Sequence, residues 1–353
     1  MRRSARGRGA GRAFAALHVR IGSHPAVQRR EQPVRIGSWV AAVIVSAVCA
    51  CACSFTRPAP APAHPEPARW SSDELHVAWL GHASVLIDFA GTFILTDPTF
   101  FDRVGVSIGS VTIGPKRLVA PALTPEELPP LDAVVITHAH MDSLDRPSLR
   151  RVAGAKLVVT AGRTADLVSD LGFAKVVELG WGEEAVAGDV KIEAIGVKHW
   201  GRRWPWGEGR GYNGYLFTKG AMTVLFASDT AYTEIVGKVA RDHGTVVAIL
   251  GNGAYDPWIS NHADPEQVWT MFEQSGARYL IPVHWDTFRL GKEPLGEAIA
   301  RLLAAAGPEA GRVVIRRIGE TFSLPCCAAA TVAGSPPHAE ASLAGAPLPP
   351  AEP

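Results

Sequence analysis

Eleven short apolar runs of β character recur between residues 75 and 318: LHVAWL, SVLIDF, TFILT, AVVIT, KLVVT, KIEAIGV, YNGYLF, MTVLFAS, VVAILG, RYLIPV and RVVIRRI. Runs this short, rich in Val, Ile, Leu and Phe and bounded by turn residues, read as strands. Phe89-Ala90-Gly91-Thr92-Phe93 reads as a hairpin turn between two of them. Helices are expected between the later runs, at 145–152, at 164–171, and from Asp264 to about Gln274. Asp264-Pro265-Glu266 offers a capping carboxylate followed by proline at the first helical position. Meanders early in each half, followed by helices, predict two sheets flanked by outer helices.

The cysteines limit what such a body can bind. Cys49, Cys51 and Cys53 close an apolar run, Cys326 and Cys327 lie near the C-terminus, and none falls between Arg69 and Pro325. A disulfide framework and a thiolate metal site are both excluded from the body, so a metal there must be held by His and carboxylate. Residues 1–36 carry nine Arg and one acid, which leaves a charge of −7 on the remainder of a chain whose net charge is +1. A body that acidic lacks the electrostatic footprint of a nucleic-acid binder. With 353 residues, 47% of them hydrophobic, the chain can bury a sizeable core, and disorder throughout is excluded.

Four segments are expected. Residues 1–56 form a leader: Trp39–Val48 follows Arg35 with the length of a signal-peptide apolar region, and Val48-Cys49-Ala50-Cys51 loosely fits a lipoprotein cleavage site, with Cys51 the lipidated residue. The expected destination is the cell envelope, periplasmic or anchored at a membrane surface. Residues 57–69, with five prolines between 57 and 68, suit an extended tether. Residues 70–324 are the folded domain, and 325–353 are an Ala/Pro-rich tail expected to be disordered.

The strongest chemical signal is Thr137-His138-Ala139-His140-Met141-Asp142-Ser143-Leu144-Asp145, directly after the apolar run AVVIT. In extended chain, residues 138, 140 and 142 project to one side, so two imidazoles and a carboxylate face a common centre. Imidazole nitrogen and carboxylate oxygen suit Zn²⁺ and its first-row neighbours. His199 follows KIEAIGV, Asp229 follows MTVLFA, and His284 follows RYLIP. Strand ends that each present His or Asp, in a body without Cys, point to one metal centre.

With those residues in view, the succession WLGHASVLIDF, LTDPTF, THAHMDSLD, KHWGRR, FASDTAY, GAYDPW with NHADPEQV, and HWDTFRL resembles the metallo-β-lactamase superfamily. Within it, the motifs are most similar to the branch containing the N-acylphosphatidylethanolamine-hydrolysing phospholipase D. The resemblance covers about residues 75–323 and implies a four-layer αββα sandwich (α/β class), with metals at the sheet edges. It implies that His138, His140 and His199 hold a first metal, that Asp142 and His284 hold a second, and that Asp229 bridges them. The metal implied is Zn²⁺, one or two per chain, with Mn²⁺ or Fe²⁺ as alternatives.

One position departs from the pattern. The family reads H-x-H-x-D-H, and here the last His is Ser143, which leaves the second site Asp142, Asp229 and His284. That site is therefore expected to bind more weakly. Asp142 would also orient the attacking water, and His262 would contact the substrate's anionic oxygen or donate a proton. His82 is expected near the centre as a turn residue or as one that supports the ligands from behind, and not as a ligand. Asp97 would tie the sheet to the metal loop, and Asp145 would cap a helix. In the loop 200–215, Arg202 or Arg203 would pair with phosphate, and Trp204 and Trp206 would line an apolar entrance or rest on lipid. The activity implied is hydrolysis of a phosphodiester, a phospholipid among the substrates, with a lactone or other ester as the alternative. A non-catalytic envelope metal binder is the reading from another class.

Overall fold

The computed structural model describes residues 57–109 and 111–325. The expected leader lies outside these residues, as does the tail beyond Pro325.

In chain order the strands are β1 (Glu74–Gly81), β2 (Ser84–Phe89), β3 (Phe93–Thr96), β4 (Val106–Ile108), β5 (Val111–Ile113), β6 (Ala133–Ile136), β7 (Leu157–Ala161), β8 (Val176–Leu179), β9 (Glu184–Ala187), β10 (Val190–Ile195), β11 (Gly214–Lys219), β12 (Met222–Ala227), β13 (Val247–Gly251), β14 (Tyr279–Val283) and β15 (Thr321–Pro325). The helices are α1 (Arg146–Arg151), α2 (Glu234–Asp242), α3 (Pro265–Ser275) and α4 (Glu297–Ala306). A seven-stranded sheet runs β15-β1-β2-β3-β6-β7-β8, and a six-stranded sheet runs β14-β13-β12-β11-β10-β9. Both sheets start as antiparallel meanders and continue as parallel strands, β3-β6-β7-β8 in one and β12-β13-β14 in the other. This is the αββα metallo-β-lactamase fold.

Every residue of β2, β6, β12 and β13 is buried. That explains the unbroken apolar runs, since a strand covered on both faces has no face on which to alternate. Each fully buried Val, Leu, Ile or Phe contributes about 1.5–3 kcal/mol over leaving it exposed. Polar groups also cross the interior, among them the Tyr215 hydroxyl on β11, which donates to the Ile136 carbonyl at the end of β6 (2.9 Å). It ties the second sheet to the strand that delivers the His motif.

Two segments expected as elements are not. Residues 164–171 form only a 3-10 turn, Ala165–Leu167. The amides of Thr164 and Ala165 both donate to the Glu178 carboxylate, and so short a segment gains little from helix propagation. In RVVIRRI only Val313 pairs, as an isolated bridge to Leu280. The Arg316 guanidinium takes the carbonyls of Val313 and Ala310 that a ladder would have used. The strand completing the first sheet is β15, along β1.

The proline-rich segment also differs from a free tether. Ala59 bridges to Val119, its amide donating to Leu118 (2.8 Å) and its carbonyl accepting from Ala120 (2.7 Å), while Ala63 donates to Ile318 (3.2 Å). Alanines between the prolines retain the N–H groups that proline lacks, so the strap can still pair with the domain. Among the described residues, no helix is long and apolar enough to cross a membrane.

Candidate metal centre

The polar residues that matter follow strands. His138 stands two residues beyond β6, Asp229 two beyond β12, and His284 directly after β14. His199 lies four residues past β10. Strand ends are where ladder pairing stops and side chains can converge, the usual place for a ligand in sheets of this kind.

Four groups meet first. Nε2 of His138 lies 2.7 Å from Nδ1 of His140, and Nε2 of His199 lies 3.2 Å from the same atom. Oδ2 of Asp229 is 3.6 Å from His138 Nε2 and 3.8 Å from His199 Nε2. The outer hydrogen bonds assign the tautomers. His199 Nδ1 faces the Asn261 carbonyl (3.0 Å), which can only accept, so Nδ1 carries the proton and Nε2 presents a lone pair. Thr137 donates its hydroxyl to Asp97 Oδ2 (2.6 Å), so it accepts from His138 Nδ1 (2.9 Å), and His138 Nε2 is likewise a lone pair. His140 Nδ1 can donate to only one of these two, and His140 Nε2 is buried with no partner. Three nitrogens and a carboxylate facing one point, short of protons, fit a divalent cation.

Burial pushes His138 well below the ordinary imidazole value, with His140 and His199 adding to the effect. Burial likewise pushes His140 down to about 4 and lowers His199. All three are neutral at pH 7, as ligands must be.

A second group adjoins the first. Nε2 of His284 lies 3.1 Å from Oδ1 of Asp229 and 3.5 Å from Oδ2 of Asp142, yet points at neither as a hydrogen-bond donor. Asp142 Oδ2 is also 3.1 Å from His82 Nε2. Donor atoms of His82, Asp142 and His284 all lie within 4.8 Å of one another, as do those of Asp229, His262 and His284. Asp229 thus belongs to both groups, the geometry a bridging carboxylate needs. Burial raises Asp229 and Asp142, but neighbouring imidazoles, His284 foremost, outweigh it and hold both well below the carboxylate range. Burial lowers His284, and the two carboxylates overcome it, raising it to about 10.

A match to the Beta-lactamase superfamily domain spans residues 92–285. The chain belongs to the metallo-β-lactamase superfamily. It is 34% identical over 265 residues to an uncharacterized protein of Mycobacterium tuberculosis, covering 72% of this chain and 70% of that protein. It is 30% identical over 240 residues to N-acyl-phosphatidylethanolamine-hydrolyzing phospholipase D 1 of Caenorhabditis elegans, covering 63% of this chain and 66% of the enzyme. Two solved structures share the fold. An isothiocyanate hydrolase from Delia radicum gut bacteria matches with a TM-score of 0.56 at 19% identity, over 71% of this chain and all of that one. CmlA, a diiron β-hydroxylase from Streptomyces venezuelae, matches with a TM-score of 0.54 at 20% identity, over 72% of this chain and 54% of that one.

Other residues around this superfamily centre are now placed. Asp97 accepts the amide of Thr137 (2.8 Å) as well as its hydroxyl, fixing the start of the His loop to β3. Asp145 caps α1 through the Ser148 amide. Ser143 is fully buried, and its hydroxyl has no hydrogen-bond partner. His262 is packed between His199 and His284, its ring centroid 5.1 and 5.2 Å from theirs. Burial lowers His262 to about 3, so at pH 7 it is a neutral hydrogen-bond donor rather than an imidazolium acid.

The two arginines divide. Arg203, one of the two arginines expected to offer a phosphate contact, donates to the carbonyls of Ala139 (2.8 Å) and Leu144 (3.0 Å), bracing the His loop from behind. Arg202 is exposed and makes a long contact of 3.5 Å to the Pro205 carbonyl. Trp204 and Trp206 are exposed and stacked on each other at 5.7 Å.

Sequence reasoning missed Arg117, Gly251 and Gly253. Arg117 is fully buried, donates to Thr99 and Phe101, and lies 4.6 Å over the Phe288 ring. Nothing local in GPKRLV marks it. A Cβ on Gly251 would fall 2.0 Å from the Ser228 carbonyl, and one on Gly253 2.2 Å from that of His284. Bare backbone at both positions lets the ends of β12 and β14 close around the centre. The spacing G-N-G after an apolar strand was the available signal.

Proposed function

We propose that the chain is a zinc-dependent phosphodiesterase of phospholipase D type, cleaving the headgroup ester of a phospholipid such as an N-acyl-phosphatidylethanolamine. The observation that carries the reading is the convergence of three neutral imidazoles and Asp229 beside a second group sharing that carboxylate. His138, His140, His199, Asp229, Asp142 and His284 would hold divalent cations, which would make water more acidic near neutral pH and offset the charge that develops on a phosphoryl oxygen.

The chain's own groups do the rest. Asp142, ionised, accepts a hydrogen bond from the attacking water and holds its oxygen toward phosphorus. His262, neutral, donates a hydrogen bond to a non-bridging phosphoryl oxygen. Water's oxygen forms the new P–O bond, the P–O bond to the headgroup alcohol breaks, one of water's protons ends on that alcohol and the other leaves with the phosphomonoester or to solvent. Arg202 is free to reach the phosphate from the rim.

Exposed apolar side chains favour a lipid over a soluble ester. Trp204 and Trp206 sit on the loop whose Trp200 packs against His140 and His199. Trp258 and Ile259, also exposed, sit on the turn that leads to His262. Aromatic side chains flanking a polar centre suit the boundary between headgroups and acyl chains. The test is a screen of zinc-loaded full chain against N-acyl-phosphatidylethanolamine vesicles, bis-p-nitrophenyl phosphate and a lactone. Phosphatidate and N-acylethanolamine are the expected products, and turnover of the lactone alone would overturn the proposal.

A further inference from the structure

We infer that His82 supplies a nitrogen donor to the second cation, making good the imidazole that Ser143 lacks. The inference rests on the binuclear reading above and concerns a residue 60 positions away from Asp142 in sequence.

Three observations carry it. Ser143 offers only a neutral hydroxyl, buried and unpartnered, where imidazole would be the better donor. His82 Nε2 is instead the nitrogen beside Asp142, 3.1 Å from Oδ2, within one ligand-sized cluster with His284. With His82, the second group holds two imidazoles and Asp142, and the shared Asp229 adjoins it through His284.

The fold holds His82 there from several sides. Its amide donates to Thr287 Oγ1 (2.7 Å), and its carbonyl accepts from Trp79 Nε1 (2.7 Å) and from the His284 amide (2.9 Å). Its ring lies 4.1 Å from that of His284 and edge-on to Phe288 at 5.2 Å, with Arg117 behind Phe288. The backbone sits at φ 53°, a left-handed conformation that a non-glycine residue keeps only where its surroundings impose it. His284 at φ 67° is its counterpart across the shared hydrogen bond. A residue that only shaped a turn would not need its ring nitrogen aimed at a carboxylate oxygen of the centre.

The competing role is positional, in which His82 does no more than hydrogen-bond Asp142. His82→Gln separates the two, because the glutamine amide nitrogen can still donate to Asp142 but is a poor metal ligand. Full-length wild type, His82→Gln and His82→Gln/Ser143→His would be titrated with zinc and with cobalt against a competing chelator. The first equivalent, at His138, His140 and His199, reports in the same sample that each variant has folded. The expected result is two cations in wild type, a second cation weakened by ~100-fold or more in His82→Gln, and its recovery in the double variant. Should His82→Gln fail to fold, histidine-ring ¹⁵N NMR of the wild type serves instead. The second zinc equivalent should then recruit two imidazoles, and recruitment of His284 alone would overturn the inference. Two tight cations in His82→Gln would overturn the inference and leave the proposed function standing. A wild type that binds no cation would overturn both.

Discussion

Nε2 of His284 lies 3.1 Å from Oδ1 of Asp229, and Asp142 stands on its other side at 3.5 Å. A buried imidazole between two carboxylates makes a proton the substitute for a cation. With His284 raised to about 10, it is protonated at pH 7 and must lose that proton to coordinate. His138, His140 and His199 are already neutral and have none to lose. Filling the centre at pH 7 should therefore release at least one proton per chain, that of His284, with any proton lost by bound water added to it, and affinity should rise as pH is raised above 7. Calorimetry in buffers of different ionisation enthalpy counts the protons, and zero release would contradict the assignment.

The first group is expected to bind metal even when the second is disrupted. His138→Ala or His199→Ala should cost more than the ~10–100-fold in affinity typical of losing an outer partner, and abolish turnover. The two sheets should survive, because the core is otherwise apolar. Metal analysis and circular dichroism on the same samples check both statements, and full metal retention in both variants would refute the assignment.

Thr137 is predicted to act through His138. Thr137→Val keeps the shape and removes the hydroxyl that accepts from His138 Nδ1 and donates to Asp97. First-site affinity should fall ~10–100-fold with little change in secondary structure. An unchanged chelator-competition curve would show that the tautomer is fixed by other means.

Sequence left the phosphate role to Arg202 or Arg203, and the contacts of Arg203 favour a bracing role for it. Arg203→Met leaves the carbonyls of Ala139 and Leu144 without their donor, each at a cost of about 1–3 kcal/mol if water cannot replace it. Melting temperature should drop while KM for a small phosphodiester stays put. A raised KM at unchanged stability would restore the phosphate-binding role, which the exposed Arg202 now fits better.

Export is testable independently of chemistry. The leader predicts a mature N-terminus at Cys51 or close to it in the native host, read by mass spectrometry. An intact leader on cytosolic protein would contradict export, and a cleaved but unlipidated chain would reject only the anchor.

The sequence made the strands and their polar ends legible because both are local. AVVIT followed by HAHMD announces a buried strand and its terminus within ten residues. Partnerships across the fold were not legible. The Arg203 contacts with Ala139 and Leu144 span 64 and 59 residues, and a composition of Arg, Trp and Gly reads equally well as a phosphate loop. His82 read as a turn residue because its neighbours in sequence, Gly81 and Ala83, say nothing of Asp142. Residues 57–69 read as a tether because their prolines hide the alanines that pair with Val119 and Ile318.

Metal analysis on the purified full-length chain, before and after chelation, tests the metal centre most directly, with phosphodiester hydrolysis followed in parallel. Two divalent cations per chain are expected, with loss of hydrolysis when they are stripped and its return on zinc addition. Undiminished hydrolysis by the stripped protein, or no cation retained at micromolar free zinc, would contradict that expectation.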